Sequence, residues 1–205
     1  MSTVAIVDYG MCNLDSVGRA VEECGARPVV TEQPRDLAEA SRIILPGVGA
    51  FPDAMRNLRD RHLDEALREQ VIERQIPFLG ICLGMQLLAS TGLEVSETPG
   101  LGWIDGEVRR LEPAESDVRI PHVGWNEVEF PEGSPLFRGI QQRRDFYFVH
   151  SYHLQARNEG DVLARTPYCG RFVSAVHRDN IWAVQFHPEK SQKAGFQLLR
   201  NFLAF

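Results

Sequence analysis

From Val4 to Ser90 the chain alternates short apolar runs with longer amphipathic stretches, and this alternation narrows the fold more than any other feature. Val4–Val7 is a strand candidate that stops at the turn signal Asp8-Tyr9-Gly10. Leu14, Val17, Val21 and Cys24 then recur at helical spacing, and Gly25 is placed to end that helix. Pro28–Thr31 reads as a second strand and Asp36–Ala40 as a short helix. Arg42–Leu45 is a third strand ending at Pro46-Gly47, and Phe51 to Gln75 is helical with one heavily charged face. Pro77–Ile81 is a fourth strand running directly into a helix from Leu83 to about Ser90. Parallel neighbours can be joined only through crossovers. Four such strand–helix units therefore predict an α/β fold with a mostly parallel central sheet and helices on both faces.

The second half changes character. Gly and Pro punctuate short strands around Ile104–Val108 and Asn126–Phe130, followed by Phe146–Val149 and Val162–Ala164. Phe172–Val176 and Ile181–Phe186 flank Asp179-Asn180, a tight-turn signal, and an amphipathic helix runs from about Ser191 to Ala204. These segments predict a smaller antiparallel β region. No linker, repeat or composition shift interrupts the chain, so residues 1–205 are expected to form a single domain.

Composition removes several function classes. The 205 residues are 43% apolar and 24% charged, ordinary for a globular protein, and at that length about 70% of the unfolded surface can be buried. The net charge of −6, with no basic stripe, argues against nucleic acid or an anionic membrane as the main partner. No apolar run is long enough to span a bilayer, and the first residues lack the basic segment and apolar length of a signal peptide. A cytoplasmic protein is expected. The four cysteines, at 12, 24, 82 and 169, form no Cys-x-x-Cys pair, and no zinc motif is present, so no metal site is expected.

One cysteine stands in a distinctive setting. Gly80-Ile81-Cys82-Leu83-Gly84 falls where the fourth strand turns into a helix, the cysteine form of a G-x-S-x-G nucleophile elbow. The glycines remove the Cβ clashes of so sharp a turn, and the elbow presents the thiol at the carboxyl edge of the sheet, beside a helix N-terminus that favours a thiolate. The N–H of Leu83 then points at an oxyanion formed on an attacked carbonyl. Cys12, Cys24 and Cys169 lack this setting and read as structural.

Such a thiol needs a base. Of six histidines, His187 closes a long apolar strand at the edge where parallel sheets assemble their sites. Pro188 keeps His187 extended, so Glu189, two residues on, projects to the same side and can orient the ring. Cys82, His187 and Glu189 are the candidate triad. Leu45-Pro46-Gly47-Val48-Gly49-Ala50 ends the third strand; it either supplies an N–H to an oxyanion hole or is only a tight turn. Position 52 is Pro, so the segment is not a dinucleotide fingerprint.

Together these segments resemble the class I glutamine amidotransferases. GICLGMQ (80–86), PGVG (46–49) and FHPEKS (186–191) carry the likeness, while PHVGWN (121–126) and YFVHSY (147–152) are similar to the glutaminase subunits of imidazole glycerol phosphate synthase within that family. The likeness runs from Asp8 to Leu203. It implies Cys82 as nucleophile, His187 as general base and Glu189 as orienting acid. It further implies an oxyanion strand at Gly47, Val48 and Gly49, with Leu83 supplying a second N–H. Gln86 would hold the substrate glutamine, and Ser151 and Tyr152 would contact its amino-acid end through the backbone. Met11, Asn13 and Lys190 would face a partner, and His122, Trp125 and Asn126 read as core or interface residues.

The implied partner is a cyclase subunit with a (βα)₈ barrel, bound as a heterodimer. It would take ammonia from the glutaminase and release imidazole glycerol phosphate and aminoimidazole-carboxamide ribonucleotide in histidine biosynthesis, with no cofactor on this chain. Cys12, where relatives commonly have Gly, and Asp15 depart from the pattern near the expected interface. Three rivals share parts of the signal: a stand-alone Cys-His-Glu amide hydrolase, a non-catalytic domain on the same fold, and a paralogous glutaminase feeding a different synthase. PHVGWN and YFVHSY argue against the first and the intact triad against the second.

Overall fold

Side chains on successive strand residues point to opposite faces, and the first strand shows what that does here. In β1 (Thr3–Val7), Val4 and Ile6 join one apolar core while Ala5 and Val7 join another on the opposite face. A strand buried on both faces belongs inside a parallel sheet covered by helices. The computed structural model, which describes residues 2–113 and 119–205, has that architecture.

After β1 come α1 (Leu14–Glu23), β2 (Arg27–Thr31), α2 (Pro34–Leu37), β3 (Arg42–Gly47), α3 (Phe51–Asp60), α4 (Leu63–Leu67), β4 (Phe78–Cys82) and α5 (Leu83–Gln86). The second half supplies β5 (Ala89–Gly92), β6 (Thr98–Pro99), β7 (Ile104–Arg110), β8 (His122–Val128), β9 (Arg144–His150), β10 (Tyr152–Ala156), β11 (Val162–Thr166), β12 (Phe172–Arg178), β13 (Ile181–Val184) and α6 (Gln192–Phe202). A seven-stranded sheet has the order β11-β12-β13-β4-β3-β1-β2. Its pairs from β13 to β2 are parallel, and β11 and β12 are added antiparallel. The core with Val4 and Ile6 holds Val17 and Val21 of α1 and Leu198 and Leu199 of α6; the other holds Phe51, Leu58, Leu63 and Leu67 of α3 and α4. Helices therefore lie on both faces.

The smaller β region differs in detail from the expectation. A four-stranded sheet, β10-β7-β5-β6, contains one parallel pair, β5 with β7, and only the β8–β9 ribbon is wholly antiparallel. The helix expected from Leu83 to about Ser90 stops at Gln86, because Ala89–Gly92 pairs with β7 instead. The expected Phe51–Gln75 helix breaks at His62, which is left-handed at φ 55°, and continues as α4 and a π-helical turn, Arg68–Glu73. Asp179 is also left-handed, and the Asn180 amide reaches the carbonyls of Val71 and Ile76 at 2.9 and 2.8 Å, which seats the hairpin turn. No helix among the described residues is long and apolar enough to cross a membrane.

Candidate active site

The carboxyl ends of β3, β4 and β13 meet along one edge of the large sheet, where open parallel sheets carry their sites. Cys82, the last residue of β4, has φ 55° and ψ −110°, a conformation that costs a non-glycine residue roughly 1–3 kcal/mol. Gly84 makes the turn sterically feasible, since a Cβ there would sit 1.8 Å from the Leu45 carbonyl oxygen, and at Gly80 one would sit 2.8 Å from the oxygen of Gly84. Cys82 borders a cleft of about 290 Å³ that also touches Val48, Gly49, Leu83, Gln86 and Ser151. The other cysteines are free thiols away from this cleft, and burial holds Cys12 at a pKa of about 11.

His187 follows β13 and is nearly as buried as the sheet interior. Its main chain is clamped to β9: its N–H donates to the Tyr147 carbonyl at 2.9 Å, and its carbonyl accepts from Ser191 Oγ, which in turn accepts from the Tyr147 N–H. His187 Nδ1 lies 2.8 Å from Glu189 Oε1, as an extended His-Pro-Glu segment requires, and both side chains are buried. Nε2 makes no hydrogen bond. Burial disfavours the charged ring, but the Cys82 sulfur and the Glu189 carboxylate outweigh it and raise the pKa to about 10. The three residues singled out in the sequence thus form one buried, electrostatically linked group.

Gly47 pairs with Cys82 across β3 and β4, and Gly49 takes φ +107°, so the PGVG turn does border the cleft. The Val48 N–H, however, donates to the Met11 carbonyl at 2.8 Å and is not directed at the thiol. Leu83 opens α5, where the first N–H groups have no intrahelical acceptor. Gln86 is buried, and its Nε2 donates to the Tyr152 carbonyl at 2.9 Å and to Gln185 Oε1 at 3.0 Å. Ser151 and Tyr152 join β9 to β10 along the cleft wall.

Two residues at the site carry no local sequence signal. Glu94 borders the cleft and accepts the Phe51 N–H at 2.8 Å, capping α3 from 43 residues away. Gln185, wholly buried, places Nε2 3.6 Å from Cys82 Sγ. A larger cavity of about 560 Å³ lies among Arg109, Arg110, Arg165 and Arg171; three of these are paired with Glu107, Glu159 and Glu129, and the elbow is not part of it. No group of three or more His, Cys, Asp or Glu among the described residues could hold a metal ion.

Beside the cleft, Val123 pairs with Val149 and Trp125 with Tyr147, so one face of the β8–β9 ribbon presents exposed Val123, Trp125 and Val149. Val48 is exposed at the cleft, the Met11 side chain lies against Gly49, and Lys190 Nζ sits 5.8 Å from the Tyr147 ring centroid. Asn13 holds the position before α1 without a side-chain cap. His122, in contrast, is a core residue stacked on Tyr168.

The strained elbow, the buried dyad and the doubly covered sheet define a class of enzyme. Residues 5–204 match the family model "Glutamine amidotransferase class-I", and the chain belongs to that family. A solved structure of a glutamine amidotransferase superposes with a TM-score of 0.77 at 22% identity, covering 98% of this chain and 97% of that one. PurLQS from Thermotoga maritima gives 0.76 at 17% identity, covering 100% and 99%. The particular branch follows from nearer relatives. The chain is 50% identical over 202 residues to imidazole glycerol phosphate synthase subunit HisH of Moorella thermoacetica, covering 98% of this chain and 94% of that one. It is 46% identical over 200 residues to subunit HisH 1 of Campylobacter jejuni strain RM1221, covering 98% of each.

Proposed function

We propose that this chain is the glutaminase subunit of an imidazole glycerol phosphate synthase, with residues 1–205 acting as a single domain in the cytoplasm. The observation that carries the reading is Cys82 at a strained strand–helix elbow, linked to the buried His187–Glu189 pair. The Cys82 thiolate attacks the side-chain amide carbon of glutamine, and His187, held as one tautomer by Glu189, gives its proton to the departing nitrogen. Ammonia leaves and a γ-glutamyl thioester remains. A water then attacks, losing its proton to His187, and the thiolate departs from glutamate. The N–H groups of Leu83 and Val48 stabilise the oxyanions, Val48 once its peptide has turned away from Met11.

The cleft's polar groups suit an amino acid. Glu94 offers a carboxylate to the substrate's ammonium group, Ser151 and Tyr152 offer backbone to its carboxylate, and Gln86, hydrogen-bonded to the Tyr152 carbonyl, lines the same cleft. The apolar ribbon face with Val123, Trp125 and Val149, together with Met11, Asn13 and Lys190, suits a protein partner beside the cleft mouth. That partner is read as a cyclase subunit with a (βα)₈ barrel, which consumes the ammonia. Cys82→Ala tests the division of labour. The assembled complex should lose glutamine-dependent synthesis and keep synthesis driven by ammonium salt at alkaline pH; loss of both in an intact complex overturns the reading.

A further inference from the structure

We propose that Gln185 is a further catalytic residue, a fixed hydrogen-bond donor that holds the Cys82 sulfur as a thiolate. The inference rests on Cys82 being the nucleophile. The Tyr152 main-chain oxygen can only accept, so the Gln86 amide must turn its nitrogen toward it, at 2.9 Å. The second N–H of that nitrogen meets the Gln185 amide at 3.0 Å, which therefore presents its oxygen there. The Gln185 nitrogen is left facing Cys82 Sγ, 3.6 Å away. Flipping Gln185 would oppose two amide nitrogens and turn an oxygen on the sulfur, so the chain of contacts has one polarity.

The same carbonyl fixes the polarity on its other side. His150 Nδ1 lies 2.8 Å from the Tyr152 oxygen and must donate, which makes His150 Nε2 the acceptor for His122 Nδ1 at 3.0 Å. His122 Nε2 then accepts from Asn126 Nδ2 at 3.2 Å, and Asn126 Oδ1 accepts the Glu127 N–H. The donor aimed at Cys82 is thus anchored in a run of buried and half-buried groups extending to β8. At the sulfur itself two contacts compete. The Val149 carbonyl, at 4.0 Å, can only accept a hydrogen bond from the protonated thiol, whereas Gln185 can only donate one, which favours the thiolate. Gln185 transfers no proton. It supports the attacking thiolate before the thioester forms and the leaving thiolate when water breaks it.

The test reads the sulfur directly, without glutamine. The pH dependence of Cys82 alkylation by iodoacetamide is followed on the full chain by peptide mass spectrometry, which separates Cys82 from the three other thiols. Gln185→Met, similar in volume with no N–H, should move the midpoint up by about one pH unit or more, the scale of a hydrogen bond to a charged group. In the complex, its glutaminase kcat should fall roughly tenfold or more with KM changed far less. Gln185→Asn keeps a buried amide but withdraws the donor, and should show the same upward shift if the Met variant does not fold. An unshifted midpoint in a folded variant overturns the proposal. Loss of the glutaminase reading itself would show separately, as glutamine hydrolysis surviving Cys82→Ala.

Discussion

Gly84 and Glu189 show how single residues set this site. No L side chain can be added at Gly84 without meeting the Leu45 carbonyl, an acceptor held inside the sheet. Gly84→Ala should therefore destabilise the chain by about 1–3 kcal/mol or more, read as a lower urea midpoint, and displace Cys82. A variant with unchanged midpoint and alkylation rate would show that the elbow relaxes freely. Glu189 makes one hydrogen bond to the His187 ring and, in the proposed cycle, carries no proton. His187→Ala should be as inactive as Cys82→Ala, while Glu189→Gln should retain at least about tenfold more glutaminase activity than either. Equal kcat values for the folded Glu189 and Cys82 variants would contradict the orienting role. At this scale the sequence was highly legible, because the elbow and His-Pro-Glu are local patterns whose spacing follows from backbone geometry.

Elements show where local patterns stop being sufficient. β1, β3, β4 and α1 are legible in the sequence to within a residue or two of their limits because each has an apolar run or a periodic apolar face. β5, β6 and β10 carry no such pattern; β6 is two residues long and pairs only with β5, β5 is completed by β7, and β10 exists through pairing with β7 some forty residues earlier in the chain. β8, β9 and β10 also carry three buried histidines with a shared electrostatic consequence. Burial lowers His122 and His153 to pKa values of about 4 and His150 to about 3. In the unfolded chain these rings take up protons near pH 6.5, whereas in the fold they remain neutral well below it. Over that window the unfolded state binds more protons, so stability falls as pH drops from about 6.5 toward 4. His187 works in the opposite sense, its contribution being complete below pH 6.5 and lost as pH rises through about 10. The melting temperature should thus be clearly lower at pH 4.5 than at pH 7, with a shallower fall in His153→Gln. A flat profile would mean that these rings are charged in the fold.

On the scale of the whole molecule, the proposed oxyanion hole lacks one of its two donors. The Val48 N–H is engaged by Met11, beside the apolar surface read here as a docking face. In the proposed complex, partner contacts around Met11 would release it, and one missing oxyanion donor typically costs about 10²–10³ in rate. Glutaminase kcat should therefore rise on that scale from the chain alone to the complex carrying the cyclase's nucleotide ligand, and Val48→Pro should lose the stimulated part. Equal rates in the free and liganded states would remove the switch. Trp125→Asp should weaken the complex by about 2 kcal/mol in calorimetry while leaving the melting temperature of the free chain unchanged, as expected for an exposed anchor.

The sequence by itself determined the parallel sheet, the elbow, the dyad and the family, since hydrophobic period, glycine placement and short motifs are local properties. Tertiary structure alone decided what surrounds the thiol. Glu94 reaches the cleft from a position 43 residues beyond the first residue of the helix that it caps, and Gln185 meets a sulfur 103 residues away. Which amide atom faces Cys82, and which carbonyl takes the Val48 N–H, follow only when separate strands pair and each buried polar group must find its partner.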